Sequence, residues 1–168
     1  MIRLAVFILV MLCLAVNAVS AHAFCFQEAG ELYGVSPQLL WSIAKVESNF
    51  DPGAVNWNRN GTYDFGLMQI NSSWAGRLGK TWSGLGDPCT NVKAGAWILA
   101  QCVSDYGYTW QAVGCYNSRT PSKRDRYAAR VFRILSEHAG TRPIRQVASA
   151  EVVAQDAPWQ AVFGRADR

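Results

Sequence analysis

The sequence predicts a mainly α-helical α+β domain with one small β-hairpin that lines a cleft. Three stretches carry the helical part: residues 37–50, 91–103 and 121–138, of which the first and third repeat apolar side chains at amphipathic-helix spacing. Between the first two stretches lies a polar segment around Asn60-Gly61, a dipeptide that strongly favours a hairpin turn. A hairpin that follows a helix in this way is expected to form one wall of the cleft, with the helix as the other wall.

The chain is long enough for one domain. It has 168 residues, of which 50% are hydrophobic, and a formal net charge of +4. Chains of this length rarely divide into two hydrophobic cores. The composition excludes a fully disordered, collagenous or multi-span membrane protein. Seven Trp, six Tyr and seven Phe are enough to build a core or a carbohydrate-binding cleft.

The first 23 residues are predicted to be a cleaved secretory signal peptide. Arg3 supplies the positive charge, residues 4–16 form an unbroken apolar run, and Ala21-His22-Ala23 has the small-x-small pattern of a cleavage site. The run is shorter than the ~20 residues that span a bilayer. An uncleaved anchor is the alternative. We expect the mature protein to begin at Phe24 and to work in the periplasm.

Export predicts that the remaining cysteines form disulfides, because the compartment is oxidising. These cysteines are Cys25, Cys89, Cys102 and Cys115. Helix 91–103 would hold Cys89 and Cys102 ~20 Å apart, whereas a disulfide tolerates ~7 Å between Cα atoms. The preferred pairing is Cys25–Cys89 with Cys102–Cys115, and Cys25–Cys102 with Cys89–Cys115 stays open. The cysteines lack metal-site spacing, so we predict no metal and no cofactor.

The helix over residues 37–50 carries an acid on its apolar face. Ser36 is a favourable N-cap, Pro37 suits the first helical position, and Asp51-Pro52-Gly53 ends the helix. The residues on its apolar side are Leu39, Leu40, Ile43 and Phe50, with Glu47 among them. The residues that point the other way are Ser42, Lys45 and Asn49.

The position of Glu47 has two interpretations. A carboxyl group on an apolar face either bridges to an arginine or to backbone amides, or keeps its proton because burial raises its pKa. A protonated acid near neutral pH is what glycosidic bond cleavage requires, since the departing oxygen must be protonated.

The segment after this helix contains groups that suit a sugar-binding wall. Gly66 allows a close approach of the backbone, and Gln69 and Asn71 offer hydrogen bonds to sugar hydroxyls or amides. The alternative is a structural hairpin with an apolar side formed by Phe65, Leu67 and Ile70.

The C-terminal part of the chain is basic. Residues 119–145 contain eight Lys or Arg against Asp125 and Glu137, mostly on the helix at 121–138. The apolar face of this helix is expected to hold Tyr127, Ala128, Val131, Ile134 and Leu135. The cations either form a solvated face or attract an anionic polymer of the cell envelope; an exported protein is not expected to bind nucleic acid. Residues 140–168 are predicted to be a flexible tail after the domain at 24–139.

Three separated motifs resemble those of the small lytic transglycosylases of the lysozyme superfamily, especially those that accompany secretion, conjugation and pilus machines. They are Ala44-Lys45-Val46-Glu47-Ser48-Asn49-Phe50, Gly66-Leu67-Met68-Gln69-Ile70-Asn71 and Tyr116-Asn117, in the family's order and within residues 25–135. The resemblance implies a lysozyme-like fold and cleavage of peptidoglycan between N-acetylmuramic acid and N-acetylglucosamine with a 1,6-anhydro product.

The resemblance also implies roles for single residues. Glu47 matches the catalytic acid and base, and Ser48 matches the serine that orients this acid or the substrate. The residues that match the cleft-lining motif are Gly66, Met68 and Gln69, and those that match the pair facing the glutamate are Tyr116 and Asn117. Two departures are Cys115, where alanine is usual, and Ser118-Arg119, where alanine-glycine is common. The first fits a disulfide to Cys102.

Two alternatives to a lytic transglycosylase stay open: a lysozyme that hydrolyses the bond and a protein that binds peptidoglycan without cleaving it. The stretch from Glu47 to Gly66 also resembles animal-type lysozymes, in which a second carboxylate follows the acid; Asp64 stands in that place and would allow hydrolysis by water. Otherwise Asp64 is a turn residue. A non-catalytic envelope-binding assembly factor is the third possibility. The expected partners are peptidoglycan strands and an envelope machine, with the protein acting as a monomer.

Overall fold

A computed structural model describes residues 24–140 of the chain, with side chains to 138. The predicted signal peptide and most of the predicted tail lie outside the described residues and stay predictions. The longer helices are α1 (Phe26–Tyr33), α2 (Pro37–Ser48), α4 (Pro88–Tyr106), α5 (Trp110–Asn117) and α6 (Pro121–Gly140), with a short α3 (Ala75–Leu78). The strands are β1 (Val55–Trp57), β2 (Tyr63–Phe65) and β3 (Ile70–Asn71), and two 3₁₀ turns cover Ser72–Trp74 and Gly79–Gly84. The mainly helical prediction is confirmed.

Helix α2 starts as predicted and ends earlier than predicted. The Ser36 hydroxyl accepts the Leu39 N–H at 3.3 Å, and Pro37 occupies the first turn. The helix ends at Ser48 because Asn49 adopts a left-handed conformation at φ 55°. Phe50, at φ 68°, therefore lies beyond the helix, and the expectation that it shares the helix's apolar face is wrong.

Ser42 corrects a second expectation for α2. It was expected to point away from the core, yet it is fully buried. Its hydroxyl donates to the Gln38 carbonyl at 2.8 Å, which satisfies the polar group within its own helix. This back-bond lets a small polar side chain enter the core without losing a hydrogen-bond partner.

The predicted hairpin is part of a three-stranded antiparallel sheet in the order β1-β2-β3. Trp57 pairs with Tyr63 at the predicted turn, and Phe65 pairs with Ile70 at the second connection. Gly61 has φ +82° in the turn, a conformation that glycine adopts without strain. Strand β3 was not predicted, because two residues are too few to show an alternating pattern.

Helix α4 runs through the core. Asp87 caps it by accepting the Thr90 N–H at 2.8 Å, so it begins before the predicted residue 91. Its buried side chains pack against α1, α2 and α5, as expected for a helix that is apolar on most sides. In α6 the predicted face is confirmed: Tyr127, Ala128 and Val131 are buried, and Ile134 and Leu135 are half-buried.

Two disulfides join the helices in the preferred pairing. Cys25–Cys89 links the start of α1 to α4 with Cα atoms 5.2 Å apart, and Cys102–Cys115 links α4 to α5 at 5.8 Å. Cys25, Cys89 and Glu28 lie near one another, but both sulfurs are held in the disulfide. Within residues 24–140, no helix is long and apolar enough to cross a membrane.

Candidate active site

The carboxyl group of Glu47 lies at the end of α2, where the helix faces the sheet across a cleft. It is half-buried, and its Oε1 accepts a hydrogen bond from the Tyr127 hydroxyl at 2.5 Å. Tyr127 is 1% exposed and belongs to the apolar face of α6. Helix α6 therefore orients the acid that α2 presents to the cleft.

Burial raises the pKa of Glu47 from its ordinary 4.5 to about 7. The hydrogen bond from Tyr127 and the charge of Arg130 lower this pKa, while the negative charge of Asp64 raises it. Loss of hydration is the largest of these effects, because few water molecules reach the carboxylate to stabilise its charge. Near neutral pH a large fraction of the protein therefore holds a protonated acid at this position.

For the glycosidic bond cleavage that the sequence motifs imply, we expect the rate to fall as the pH rises through about 7, because a general acid must carry its proton. Tyr127→Phe removes a hydrogen bond that lowers the pKa of Glu47, so this alkaline limb should move to higher pH. The rate should also drop about tenfold as the acid loses its orientation. Initial rates of peptidoglycan release between pH 5 and 9 check both effects. If the alkaline limb of the pH–rate profile lay at the same pH in the variant as in the wild type, Glu47 would not be the acid that limits the rate there.

Asp64 lies on the opposite wall of the cleft, on β2. Its Oδ2 accepts from the Asn58 amide at 2.9 Å, and its Oδ1 accepts from the Asn71 amide at 2.7 Å. These two amide donors fix the orientation of the Asp64 side chain on the sheet. The cleft has a volume of about 780 Å³ and is lined by both Glu47 and Asp64. The cleft thus holds the Glu47 carboxyl group, whose pKa is raised, and the Asp64 side chain, which accepts hydrogen bonds from two amides.

Four more of the predicted residues line the same cleft: Gln69, Asn71, Tyr116 and Asn117. The Tyr116 hydroxyl donates to the Met68 carbonyl at 2.8 Å, and its ring stacks on Tyr127 with centroids 6.4 Å apart. Gln69 donates to the Gly66 carbonyl at 2.8 Å, which holds its side chain against the turn after β2. These contacts leave polar faces of the cleft available to a sugar chain.

Ser48, Gly66 and Met68 do not line this cleft. The Ser48 hydroxyl donates to the Leu67 carbonyl at 2.8 Å, so it ties α2 to the turn after β2. Met68 is fully buried, and Gly66 has φ +77° where the chain turns. The structure places these three residues as the scaffold that holds the two walls together.

Sequence reasoning missed three residues of the site: Arg130, Asn91 and Tyr127. It placed Tyr127 on the apolar face of its helix but did not predict the hydrogen bond to Glu47. Asn91 is 1% exposed; its Oδ1 accepts the Met68 N–H at 2.8 Å and its Nδ2 donates to the Phe65 carbonyl at 3.1 Å. Two signals were available. A tyrosine on an apolar face needs a partner for its hydroxyl, and so does an asparagine within a buried helix.

A helical domain with a proton-holding glutamic acid across a cleft from an aspartate on a small sheet has the arrangement of a lysozyme-like domain. Comparison with known proteins agrees: the Transglycosylase SLT domain matches residues 24–132. The chain belongs to this family.

Relatives with similar sequences occur in enteric bacteria. The chain is 42% identical over 134 residues to the invasion protein IagB of Salmonella typhimurium strain SL1344, covering 75% of this chain and 82% of the relative. It is 36% identical over 135 residues to the protein IpgF of Shigella flexneri, covering 76% and 88%. It is 35% identical over 127 residues to a peptidoglycan-binding-like protein of Escherichia coli O157:H7, covering 67% and 76%.

Proposed function

We propose that the protein is a peptidoglycan lytic transglycosylase that cleaves the β-1,4 bond between N-acetylmuramic acid and N-acetylglucosamine. The observation that carries this proposal is Glu47, whose pKa is raised to about 7 by burial at a polar cleft. Family membership and the matching positions of Tyr116 and Asn117 support it. A pure binding factor would not need an acid held in this state.

The proposed reaction uses one carboxyl group twice. Glu47 gives its proton to the glycosidic oxygen as the bond from that oxygen to C1 of the muramoyl sugar breaks. The resulting carboxylate takes the proton of the C6 hydroxyl of the same sugar, whose oxygen attacks C1 and closes the 1,6-anhydro ring. Glu47 ends protonated, and no water enters the product. Tyr127 holds the acid in place throughout.

Hydrolysis of the same bond is the second candidate, and the position of Asp64 favours it. This carboxylate lines the cleft with Glu47, and its charge raises the pKa of Glu47. In retaining glycosidases a second carboxylate serves as nucleophile or stabilises the positive charge at C1. In a transglycosylase, Asp64 would not react with the sugar; it would only raise the pKa of Glu47 and hold the sheet through its hydrogen bonds.

Mass spectrometry of the released muropeptides tests the two reactions against each other. We expect anhydro-muramoyl ends, whereas hydrolysis leaves reducing ends heavier by one water. Asp64→Asn should lower the rate by about tenfold or less in the transglycosylase, and by a hundredfold or more if Asp64 were a nucleophile. Asp51→Asn is the matched control, since Asp51 is exposed and lies outside the cleft. Reducing ends together with a large Asp64→Asn effect would replace the transglycosylase with the hydrolase.

We further propose that the protein acts in the periplasm, where it opens the wall locally for a secretion, conjugation or pilus apparatus. The two disulfides suit an oxidising compartment, and the predicted signal peptide would deliver the chain there. Similarity to the invasion protein IagB of Salmonella typhimurium supports this role. Detection of the protein in the periplasmic fraction of its own cells, with both disulfides intact, tests the location.

A further inference from the structure

A second groove opens beside the catalytic cleft. It has a volume of about 630 Å³. Its lining residues are Asn117, Lys123, Arg126, Tyr127, Ala129 and Arg130. We call it the basic groove, because three of these side chains are cations and none is an acid.

The cations of the basic groove share one face of α6. Lys123, Arg126 and Arg130 follow one another at spacings of three and four residues, which places them one above the other along a helix. Tyr127, on the apolar face of α6, borders this row of cations, and the Arg130 guanidinium stands 5.4 Å from the centre of its ring. The positive charge is therefore concentrated along one edge of the groove.

Two of these cations, Lys123 and Arg126, are not neutralised by ion pairs within the described part of the chain. Arg119 pairs with Asp105 at 2.5 Å and Arg124 pairs with Asp125 at 2.8 Å. Neither Lys123 nor Arg126 forms an ion pair with any carboxylate of residues 24–138. A solvated helix face commonly mixes charges of both signs, whereas this one offers cations alone at a concave surface.

The basic groove is continuous with the cleft that holds Glu47. Asn117 and Lys123 line both cavities, and Tyr127, which forms part of the groove, donates to the Glu47 carboxylate. A ligand that fills the cleft can therefore extend a branch into the groove. The branch must be anionic to profit from these cations.

We propose that the basic groove binds the carboxylates of the peptide branches carried by the glycan strand. This inference rests on the proposed function. The sugar backbone of peptidoglycan is uncharged where its lactyl groups bear peptides, so the peptide carboxylates are the anionic groups nearest to the bond that is cleaved. Arg126 binds a carboxylate through two parallel N–H groups, and Lys123 adds a point charge at the junction of groove and cleft.

Two matched substrates isolate the charge of the peptide branch. Peptidoglycan strands are acetylated on their peptide amines, and half of the sample is then treated with excess ammonia and a carbodiimide to turn carboxylates into neutral amides. Binding is measured with the full exported chain carrying Glu47→Gln, so that strands stay uncut. The parent protein should bind the acetylated strands about fivefold more tightly than the amidated ones, as expected for partly exposed charge pairs.

Arg126→Glu, added to the same parent, should reduce this fivefold preference to about one or reverse it. Arg133→Glu is the matched control: it makes the same charge change at an exposed site on α6 and lines neither the cleft nor the groove. It should keep the preference. Raising the salt from 50 mM to 300 mM should weaken the preference in the parent protein as it screens the charges.

Equal binding of both strands by the parent protein, or an equal loss of preference in the two arginine variants, would overturn the basic groove as a carboxylate site. Failure of the proposed function looks different. In that case the protein with Glu47 intact releases no muropeptides from either strand, while the binding preference and its loss in Arg126→Glu are unaffected.

Discussion

Glu47→Gln is expected to lower peptidoglycan cleavage by about a thousandfold, so that clearing of a peptidoglycan gel is lost. Glutamine keeps the size of the side chain and an oxygen that accepts the Tyr127 hydrogen bond, but it cannot give a proton to the glycosidic oxygen. The measurement is the initial rate of soluble muropeptide release at pH 6, where wild-type Glu47 is mostly protonated.

The same substitution should stabilise the fold above pH 7. The pKa of Glu47 is higher in the folded protein than in the unfolded chain, so between pH 4.5 and about 7 the unfolded chain releases this proton first. Ionisation therefore favours unfolding, and the wild type loses about 1–3 kcal/mol across that window. Urea unfolding at pH 5 and pH 8 should show Glu47→Gln as the more stable protein at pH 8 only.

Glu137→Gln provides the matched control, because Glu137 is exposed on α6 and the change in charge is the same. It should leave both the rate and the pH dependence of stability unchanged. Clearing that persists in a folded Glu47→Gln protein would remove Glu47 as the acid. A fall in stability at pH 8 would show instead that the carboxylate has a structural role.

Gly66→Ala is expected to destabilise the domain by about 3 kcal/mol or more, through two separate effects. Gly66 has φ +77°, which costs an alanine about 1 kcal/mol. A Cβ atom at this position would also lie 2.8 Å from Asn91 Cγ and overlap Asn91 Nδ2. Asn91 cannot move away freely, because its amide binds the backbone on both sides of Gly66, at Phe65 and Met68.

Gly61→Ala separates these effects. Gly61 has φ +82°, yet an added Cβ meets no atom within 4 Å. It should lose only the conformational part, about 1 kcal/mol. Urea denaturation of both variants measures the difference. Equal losses of unfolding free energy in the two variants would show that the packing of Gly66 against Asn91 adds nothing to stability. A larger loss in Gly66→Ala would show that this close packing stabilises the sheet side of the cleft.

The sequence predicted those features of the fold that depend on residues close together in the chain. Ser36 and Pro37 start α2 where expected, since capping and the fixed φ of proline act within one turn. The turn at Gly61 and the apolar face of α6 follow from equally local rules. The end of α2 was harder to predict, because the left-handed Asn49 and Phe50 depend on how the next segment packs.

The sequence by itself determined the helical class, the acid on an apolar helix face and the motifs that define the family. It did so because periodicity, caps and residue types are properties of neighbours along the chain. Only the tertiary structure decided that Tyr127 donates to Glu47 and that Asn91 holds the turn at Gly66. Those contacts join residues 80 and 23 positions apart, and only the packing of α2, α4 and α6 brings such distant side chains together.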